Sequence, residues 1–380
     1  MKTVFAIGIL GLILLEISLV YFIMPLPGSQ RMQSIDLAYA LHSWRWPLRA
    51  VFAGMILGGT MFGWRKGGAR RWVVPASLAL VAVVAYMTNF RMAADRIFLP
   101  PSALSMQPAS RNAVPTDRLV VGVAIEGSAR AYPLQFIGYH HQVRDTIAGQ
   151  PIMVSYCTVC RTGRVFRPVV DGQVETFRLV GMDHFNAMFE DQTTKSWWRQ
   201  ATGEAVAGPH RGKSLAEVPS QQVSLARWLS LHPGSLIMQG DSTFADEYAK
   251  DYAFEKGTSR KKLTGTDTTS WNDKSWIVGV TLNNESKAYD WNRLRRERVV
   301  NDKVGGTPIV IALASDTASF FAFVRPHDSV TFTIRGDSLI SPGAAYALTG
   351  RGSSGELKPV KASQEFWHSW RTFQPRTSRY

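Results

Sequence analysis

The chain contains an internal repeat, and this repeat constrains the fold more than any other feature of the sequence. The segment beginning at Val120 reads VVGVAIEGSARAYPLQFIGYHHQVRDTIAGQPIMVSYC, and it aligns without gaps with IVGVTLNNESKAYDWNRLRRERVVNDKVGGTPIVIALA, which begins at Ile277. Identical pairs in this alignment include Gly122 and Gly279, Tyr132 and Tyr289, Asp145 and Asp302, Gly149 and Gly306, and Pro151 and Pro308. The similarity resumes near the end of each unit, where Trp228 and Pro233 match Trp370 and Pro375. We therefore predict a first repeat unit at residues 115–240, and a linker with a second repeat unit at residues 241–380.

Within each unit, apolar and polar residues alternate with the period of β-strands. A strand hairpin is predicted at the start of the unit, followed by a short helix over PLQFIGYHH. Two-residue turns with positive φ are predicted at Ala148-Gly149, Gly305-Gly306 and Asp171-Gly172. Each unit closes with a helix that carries the repeated tryptophan. The prediction is an α+β fold, with a β-dominated soluble body of two tandem repeats preceded by an α-helical membrane segment.

Nearly all long apolar runs precede Phe98, and three of them are candidate membrane helices: Val4–Pro25, Leu48–Trp64 and Trp72–Phe90. The first and third are long enough to cross a hydrocarbon core of about 30 Å, whereas the second is marginal. A cleaved signal peptide is the alternative for the first stretch, but no small-x-small cleavage site closes it. We predict that residues 1–98 form a membrane segment with about three transmembrane helices.

The loop RKGGARR, from Arg65 to Arg71, predicts which side of the membrane each part occupies. By the positive-inside rule this loop is cytoplasmic, so the body is predicted to lie outside the cytoplasm. In a bacterium this means the inner membrane, with the soluble body facing the periplasm or the cell exterior. Within the apolar runs, Glu16 and Arg49 are expected to reach a membrane interface, with pairing between helices as the alternative.

The formal net charge of +14 first suggests nucleic acid as a partner. However, the Lys and Arg residues are scattered, and no nucleic-acid motif accompanies them. We therefore expect no nucleic acid partner. The predicted partners are the lipid bilayer and an unidentified protein of the envelope.

The two copies act as a control for one another, because the fold must survive in both and chemistry need survive in only one. Asp145, Gly149 and Pro151 recur and are predicted to be structural. The candidate reactive residues are confined to the first copy. Cys157 is replaced by Ala314, Cys160 by Thr317, His140 by Glu297 and His141 by Arg298.

The two cysteines form a CTVC motif that is predicted to lie at a hairpin tip between two strands. If Ala148-Gly149 are the central turn residues, His140 lies opposite Cys157, unless His140 still belongs to the preceding helix. A hairpin-borne Cys-x-x-Cys resembles half of a zinc or copper site, which needs histidine for its other ligands. The candidate metal ligands are Cys157, Cys160, His140, His141 and His184; His210 and His232 are also available.

Three functions remain open for this motif. The first is binding or handling of a metal ion. The second is thiol–disulfide exchange, in which Cys157 and Cys160 are the catalytic pair and an adjacent protonated histidine lowers the thiol pKa. The third is a non-catalytic envelope interaction module, in which the cysteines are inert.

The sequence resembles the bacterial domain of unknown function 3179 family, from about Asp117 to the C-terminus. The resemblance rests on AYPL (131–134), His140, Asp145, Gly149, Pro151, YCTVC (156–160), Gln192-Thr193, SWWRQATGEAVAGP (196–209) and Pro233. Family members tend to have Cys-Pro-Leu-Cys, where this chain has Thr158 and Val159. The resemblance supports the fold and the location, but implies no activity.

Overall fold

The computed structural model describes residues 2–63 and 70–380. Residues 65–69 of the predicted cytoplasmic loop lie outside the described residues, as does Trp64.

The helices are α1 (Lys2–Tyr21), α2 (Ile35–Gly63), α3 (Arg70–Tyr86), α4 (Ala94–Ile97), α5 (Leu134–His140), α6 (Leu225–Leu231), α7 (Trp291–Glu297) and α8 (Trp367–Phe373). Short 3-10 helices lie at Ser29–Arg31, Ala109–Arg111 and Ser242–Phe244, and a π-helix spans Met87–Arg91. The strands of the first half are β1 (Met106–Pro108), β2 (Leu119–Ile125), β3 (Ser128–Pro133), β4 (Gln142–Ile147), β5 (Gln150–Cys157), β6 (Thr162–Phe166), β7 (Val169–Val170), β8 (Gln173–Val174), β9 (Phe177–Asp183), β10 (Asn186–Asp191), β11 (Trp197–Arg199), β12 (Ala205–Ala207), β13 (Gln221–Ser224) and β14 (Leu236–Met238). Those of the second half are β15 (Trp276–Leu282), β16 (Glu285–Asp290), β17 (Val299–Val304), β18 (Thr307–Leu313), β19 (Phe320–Val324), β20 (Thr333–Arg335), β21 (Ser338–Ser341), β22 (Ala344–Ala347), β23 (Arg351–Gly352), β24 (Gly355–Glu356), β25 (Ala362–Phe366) and β26 (Ser378–Arg379). The chain is therefore α+β with a strand-rich body, as predicted.

The chain divides into two compact units, each built from separate segments. The first unit contains residues 1–99, 175–199 and 204–214, and the second contains residues 100–174, 200–203 and 215–380. The ranges predicted from the sequence follow the membrane segment (1–98) and the two repeat units (115–240 and 241–380), not compactness. They stay predictions.

The helices of the first unit are apolar and largely uncovered. Within the described residues, two helical segments are long and apolar enough to cross a membrane: Lys2–Tyr21, with mean hydropathy 2.5, and Trp72–Arg91, with mean hydropathy 1.8. Residues 48–63 of the predicted stretch Leu48–Trp64 form the end of α2, which is not among them. Between the helices, Arg49 donates two hydrogen bonds to Glu16, with Nε–Oε1 and Nη2–Oε2 distances of 2.6 and 2.8 Å. Glu16 and Arg49 thus pair between helices, which was the alternative prediction for these two charges.

The first unit also contains a four-stranded antiparallel sheet with the order β12-β11-β10-β9. Its apolar side chains Val180, Met188 and Trp197 pack with Ile23 and Ala38, which come from the N-terminal segment. Ile23 also accepts a backbone hydrogen bond from Met182 in β9. The residues after α1 therefore complete the core of this sheet.

The second unit consists of small sheets. The five-stranded sheet β1-β14-β3-β2-β13 is followed by the three-stranded sheet β4-β5-β6, and β7 pairs with β8. Further along the chain, β25-β15-β16-β26 and β17-β18-β19 form two more sheets, and β20 to β24 form a meander. The predicted turns at Ala148-Gly149, Gly305-Gly306 and Asp171-Gly172 are all present with positive φ.

The same order of elements occurs twice within the second unit. β2-β3-α5-β4-β5-β6 has the same succession as β15-β16-α7-β17-β18-β19. In both places a tyrosine hydroxyl donates to an aspartate: Tyr132 to Asp145 at 2.6 Å, and Tyr289 to Asp302 at 2.8 Å.

A glycine also lies under a tryptophan ring in both places. A β-carbon on Gly122 would lie 2.3 Å from Trp228, and one on Gly279 would lie 2.3 Å from Trp370. Only glycine allows this approach, which explains why both pairs recur in the sequence.

Candidate functional site

The CxxC motif lies in the short loop between β5 and β6, as predicted. β5 ends at Cys157, β6 begins at Thr162, and these two residues pair across the hairpin. Arg161, immediately before β6, has a φ of 55°, which is uncommon for a residue with a side chain.

Both cysteines are fully buried, and neither forms a disulfide. Their side chains are close enough to share a hydrogen bond. Burial raises the pKa of the Cys160 thiol well above its usual value, and the contact with Cys157 raises it further. The Ser369 hydroxyl and the charge of Lys274 act in the opposite direction. In this conformation the Cys160 thiol is therefore neutral.

The main chain of the loop is fixed by residues from the end of the chain and from the segment before β15. The carbonyl of Val159 accepts from Lys274 Nζ at 2.6 Å and lies 3.0 Å from His368 Nε2. The carbonyl of Cys160 accepts from the backbone N–H of Phe366 at 2.9 Å. The start of α8 thus holds the loop in place.

Lys274 is a cation that interacts electrostatically with both thiols. Its ammonium group also donates to the carbonyl of Leu263 at 2.6 Å, and it lies 4.7 Å from the centre of the Phe366 ring. Burial lowers the pKa of Lys274, and the neighbouring thiols raise it. The ammonium group is thus held by carbonyl oxygens and an aromatic face.

Arg161 is completely buried and anchors the other side of the loop. It donates to Gln364 Oε1 at 2.9 Å and to the carbonyl of Phe254 at 2.8 Å, and it lies 3.5 Å from the centre of the Trp276 ring. Burial lowers its pKa to about 10. These contacts show why the chain tolerates a positive φ at this residue.

Ser369, beside Cys160, belongs to a polar chain inside the protein. Its hydroxyl donates to Glu365 at 2.9 Å and lies 3.4 Å from the Thr162 hydroxyl. Glu365 in turn pairs with the buried Arg164. This ion pair neutralises the carboxylate.

The two predicted histidine ligands in the first copy are already engaged. His140 is the last residue of α5, not a member of β4, and its Nε2 lies 2.8 Å from the Tyr248 hydroxyl. His141 adopts a φ of 60°, and its Nδ1 lies 2.9 Å from the carbonyl of Tyr139. Burial lowers the pKa of His141 to about 4.

The predicted strand register is correct, but it stops before reaching His140. Cross-strand pairing runs from Ile147↔Gln150 to Gln142↔Ser155. Because α5 continues through His140, the helical alternative applies, and His140 is not a cross-strand partner of Cys157. The backbone N–H of His141 closes the helix by donating to Ile137 at 2.9 Å.

The remaining histidines lie elsewhere. His184 belongs to the first unit, in the turn between β9 and β10, where Nδ1 lies 2.6 Å from Asp183 Oδ1. His210 belongs to the same unit, and His232 stacks on Trp228 with ring centres 4.1 Å apart. Across residues 2–63 and 70–380, no group of three or more His, Cys, Asp or Glu side chains is arranged to hold a metal ion. The metal site of Cys157, Cys160, His140, His141 and His184 stays a prediction.

Lys274, His368 and Ser369 contact the CxxC loop, but they were not predicted from the sequence. All three come from the second half of the chain, which contains no cysteine, so no local signal pointed to them. His368 and Ser369 lie in the Trp-His-Ser-Trp run at residues 367–370, which ends with the recurring Trp370, and this run was the sequence feature closest to them.

Comparison with known proteins gives a family and no activity. A family model described as "Protein of unknown function (DUF3179)" matches residues 101–377. No match was found among curated proteins or among solved structures. Because the match covers most of the chain, including the whole CxxC loop, the protein belongs to the DUF3179 family.

Proposed function

We propose that this protein is a membrane-anchored thiol–disulfide redox protein, in which Cys157 and Cys160 cycle between a dithiol and a disulfide. The observation that supports this most is the geometry of the loop. Two thiols that form no disulfide share a hydrogen bond, and the ammonium group of Lys274 acts on both of them electrostatically. A cation beside a thiol favours the thiolate, which is the reactive form.

The exchange takes place with a disulfide of a partner protein. The thiolate of one cysteine attacks the partner's S–S bond, forming a mixed disulfide and releasing one partner thiolate, which takes up a proton. The second cysteine loses its proton and attacks the mixed disulfide. A Cys157–Cys160 disulfide forms, and the second partner thiol leaves. Two electrons and two protons pass from the pair to the partner, and the reverse sequence reduces the pair again.

Burial requires that the loop moves before it reacts. In the closed loop both sulfurs are inaccessible, and the dominant influence on the Cys160 pKa is loss of water. Opening the loop restores water to the thiols, while Lys274 remains a nearby cation. We expect the thiol pKa to fall on opening, so reactivity is coupled to movement of the residue 157–162 loop.

Anchoring is supported by the exposure of the apolar helices. Leu14, Leu57 and Val83, on α1, α2 and α3, are 62%, 65% and 58% exposed, and the Glu16–Arg49 pair joins α1 to α2. Side chains of this kind are stable in lipid, and paired charges between helices are the usual arrangement there. We propose that these helices lie in the membrane, with the body outside the cytoplasm.

A duplicated body is part of the same proposal. The hairpins of the two element series have the same register. Tyr156↔Gly163 in the first series corresponds to Leu313↔Phe320 in the second at the constant offset of the alignment. The glycine–tryptophan contacts recur in both. We infer that the second copy retained the fold and lost the cysteines.

A redox titration of the full-length chain in detergent tests the function. The protein is equilibrated with thiol–disulfide buffers of varied potential, and free thiols are counted by alkylation and mass measurement. We expect a single two-electron transition in the wild type and none in Cys157→Ser or Cys160→Ser. A pair that stays reduced, or stays oxidised, at every accessible potential would remove this proposal.

Metal handling by Cys157, Cys160 and His140, with His141 or His184, remains the competing prediction, with zinc or copper as the expected ion. Elemental analysis of the same preparation separates the two functions. Bound metal in the wild type that is lost in Cys157→Ser would favour the metal site. An interaction module would be favoured if both cysteine variants retained the wild-type cellular phenotype.

A further inference from the structure

The second unit contains a cavity that is distinct from the CxxC loop. It has a volume of about 630 Å³ and is formed by the segment from Gly257 to Lys274. The segment folds back on itself through hydrogen bonds from Gly265 N–H to Lys261 at 2.6 Å and from Thr266 N–H to Ser259 at 2.9 Å. This turn brings several side chains of one charge to a single opening.

The lining of the cavity is rich in cations. Arg260, Lys261, Lys262 and Lys274 all line it. In the part of the chain that the structure describes, no carboxylate forms a salt bridge with Arg260, Lys261 or Lys262. Three neighbouring cations without counter-charges create a positive potential that favours an anion.

The two carboxylates of the cavity do not neutralise these cations, because each has other partners. Asp267 accepts from Thr269 N–H and from Asn272 Nδ2, both at 2.9 Å. Asp273 pairs with Arg371. The charge available to a ligand in the cavity is therefore positive.

The surroundings of Lys274 are a second, independent observation that favours an anion in this cavity. Its ammonium group is partly buried, and its oxygen partners are the carbonyls of Val159 and Leu263, not a carboxylate. A partly buried cation that makes no ion pair with a carboxylate is costly, and an anion in the cavity would add to the charge of the neighbouring Asp273.

We propose that this cavity binds a phosphate group, either of a soluble phosphorylated compound or of a lipid headgroup. A phosphate carries up to two charges and several acceptor oxygens, which suit a guanidinium, three ammonium groups and hydroxyls together. The hydroxyls of Thr258, Ser259 and Thr266 line the same cavity. The volume exceeds that of phosphate alone, so the group belongs to a larger molecule. This site goes beyond the proposed redox function and does not depend on it.

Calorimetry with inorganic phosphate on the full-length chain in detergent, at constant ionic strength, tests the site. The variant Arg260→Ala with Lys262→Ala removes two exposed cations of the cavity. The matched control, Lys250→Ala with Lys358→Ala, removes the same charge elsewhere. We expect the cavity variant to bind phosphate at least about tenfold more weakly than the wild type, and the control to bind within about twofold.

Equal affinity in all three proteins, or no saturable binding of millimolar phosphate to the wild type, would overturn the proposal. Thermal unfolding of each variant shows that its fold is retained, because the substituted side chains are exposed. Repeating the titration in nanodiscs of phosphatidylglycerol and of phosphatidylcholine identifies the source of the group. Weaker phosphate binding in phosphatidylglycerol alone indicates a lipid headgroup, whereas unchanged binding indicates a soluble compound.

Discussion

At the scale of single residues, burial controls the protonation of the groups around the CxxC loop. The pKa of the Cys160 thiol is raised and the pKa of His368 is lowered to about 4, in both cases mainly because water is excluded. His141, which follows α5, has the same low pKa for the same reason. The interior therefore contains an uncharged thiol, that of Cys160, and the uncharged imidazoles of His368 and His141. Stability should depend on pH at both ends of the range.

Replacing His141 by Asn should make the protein more resistant to acid. The folded-state pKa of His141 is about 4, below the unfolded value of about 6.5, so the unfolded chain binds the extra proton first. Its contribution to stability is complete above about pH 7 and is lost as the pH falls toward 4. Asn suits the positive φ of this position and does not titrate. We expect an acid unfolding midpoint lower by a few tenths of a pH unit, measured by fluorescence.

His368 titrates in the same direction, so the His141→Asn variant should retain part of the acid sensitivity. The exposed His327 provides the matched control, because His327→Asn changes no buried group. An unchanged acid midpoint for His141→Asn, with a normal stability at pH 8, would show that His141 does not limit acid stability.

Replacing Lys274 by Gln should raise the apparent pKa of thiol alkylation, because the cation that favours the thiolate is lost. Lys274→Arg keeps the charge and should remain close to the wild type. The measurement is the rate of iodoacetamide alkylation as a function of pH, which gives an apparent pKa and a plateau rate. An unchanged pKa with a higher plateau rate would mean that Lys274 only holds the loop closed through the Val159 carbonyl.

At the scale of elements, the two-residue turns are the best test of local sequence rules. Ala148 has a φ of 48°, and Gly305 occupies the corresponding position of the second series with a φ of 53°. An alanine at positive φ is strained, whereas glycine is not. The first series therefore contains a less favourable turn than the second.

Ala148→Gly should stabilise the protein slightly, by about 0.5 kcal/mol, because relief of strain exceeds the added flexibility of the unfolded chain. Gly149→Ala, at a φ of 74°, is the opposite change in the same turn and should destabilise by about 1 kcal/mol. Thermal unfolding in one detergent compares the two. A lower melting temperature for Ala148→Gly would show that the turn has no strain to relieve.

Much of the fold was predictable because it depends on neighbouring residues. The hairpin turns, the strand register around Ala148 and the placement of CTVC between two strands all follow from alternation and turn chemistry. The strand register alone did not predict the position of His140, because α5 extends through this residue. The contacts of Lys274 and His368 with Val159 join residues more than a hundred positions apart. No periodicity or motif reports such contacts, so the contribution of the second half of the chain to the site was not predicted.

At the scale of the whole molecule, the sheet β9 to β12 depends on the N-terminal segment. Trp197 and Met188 are completely buried, and they pack in one cluster with the buried residues Ile23 and Ala38. Gly181 in β9 approaches the main chain of Ile23 so closely that a β-carbon would lie 2.4 Å from its carbonyl oxygen. The segment that precedes the body is thus part of the fold of residues 175–214.

A truncated chain that begins at Pro100 should therefore not be a well-packed soluble protein. Removal of residues 1–99 uncovers Val180, Met188 and Trp197, and each large apolar side chain contributes about 1.5–3 kcal/mol when buried. We expect proteolysis of the truncated chain to begin within residues 175–214, a region that is resistant in the full-length chain in the same detergent. The cleavage sites are read by mass spectrometry. A truncated chain that is monomeric and resistant throughout residues 175–214 would show that this sheet folds without the N-terminal segment.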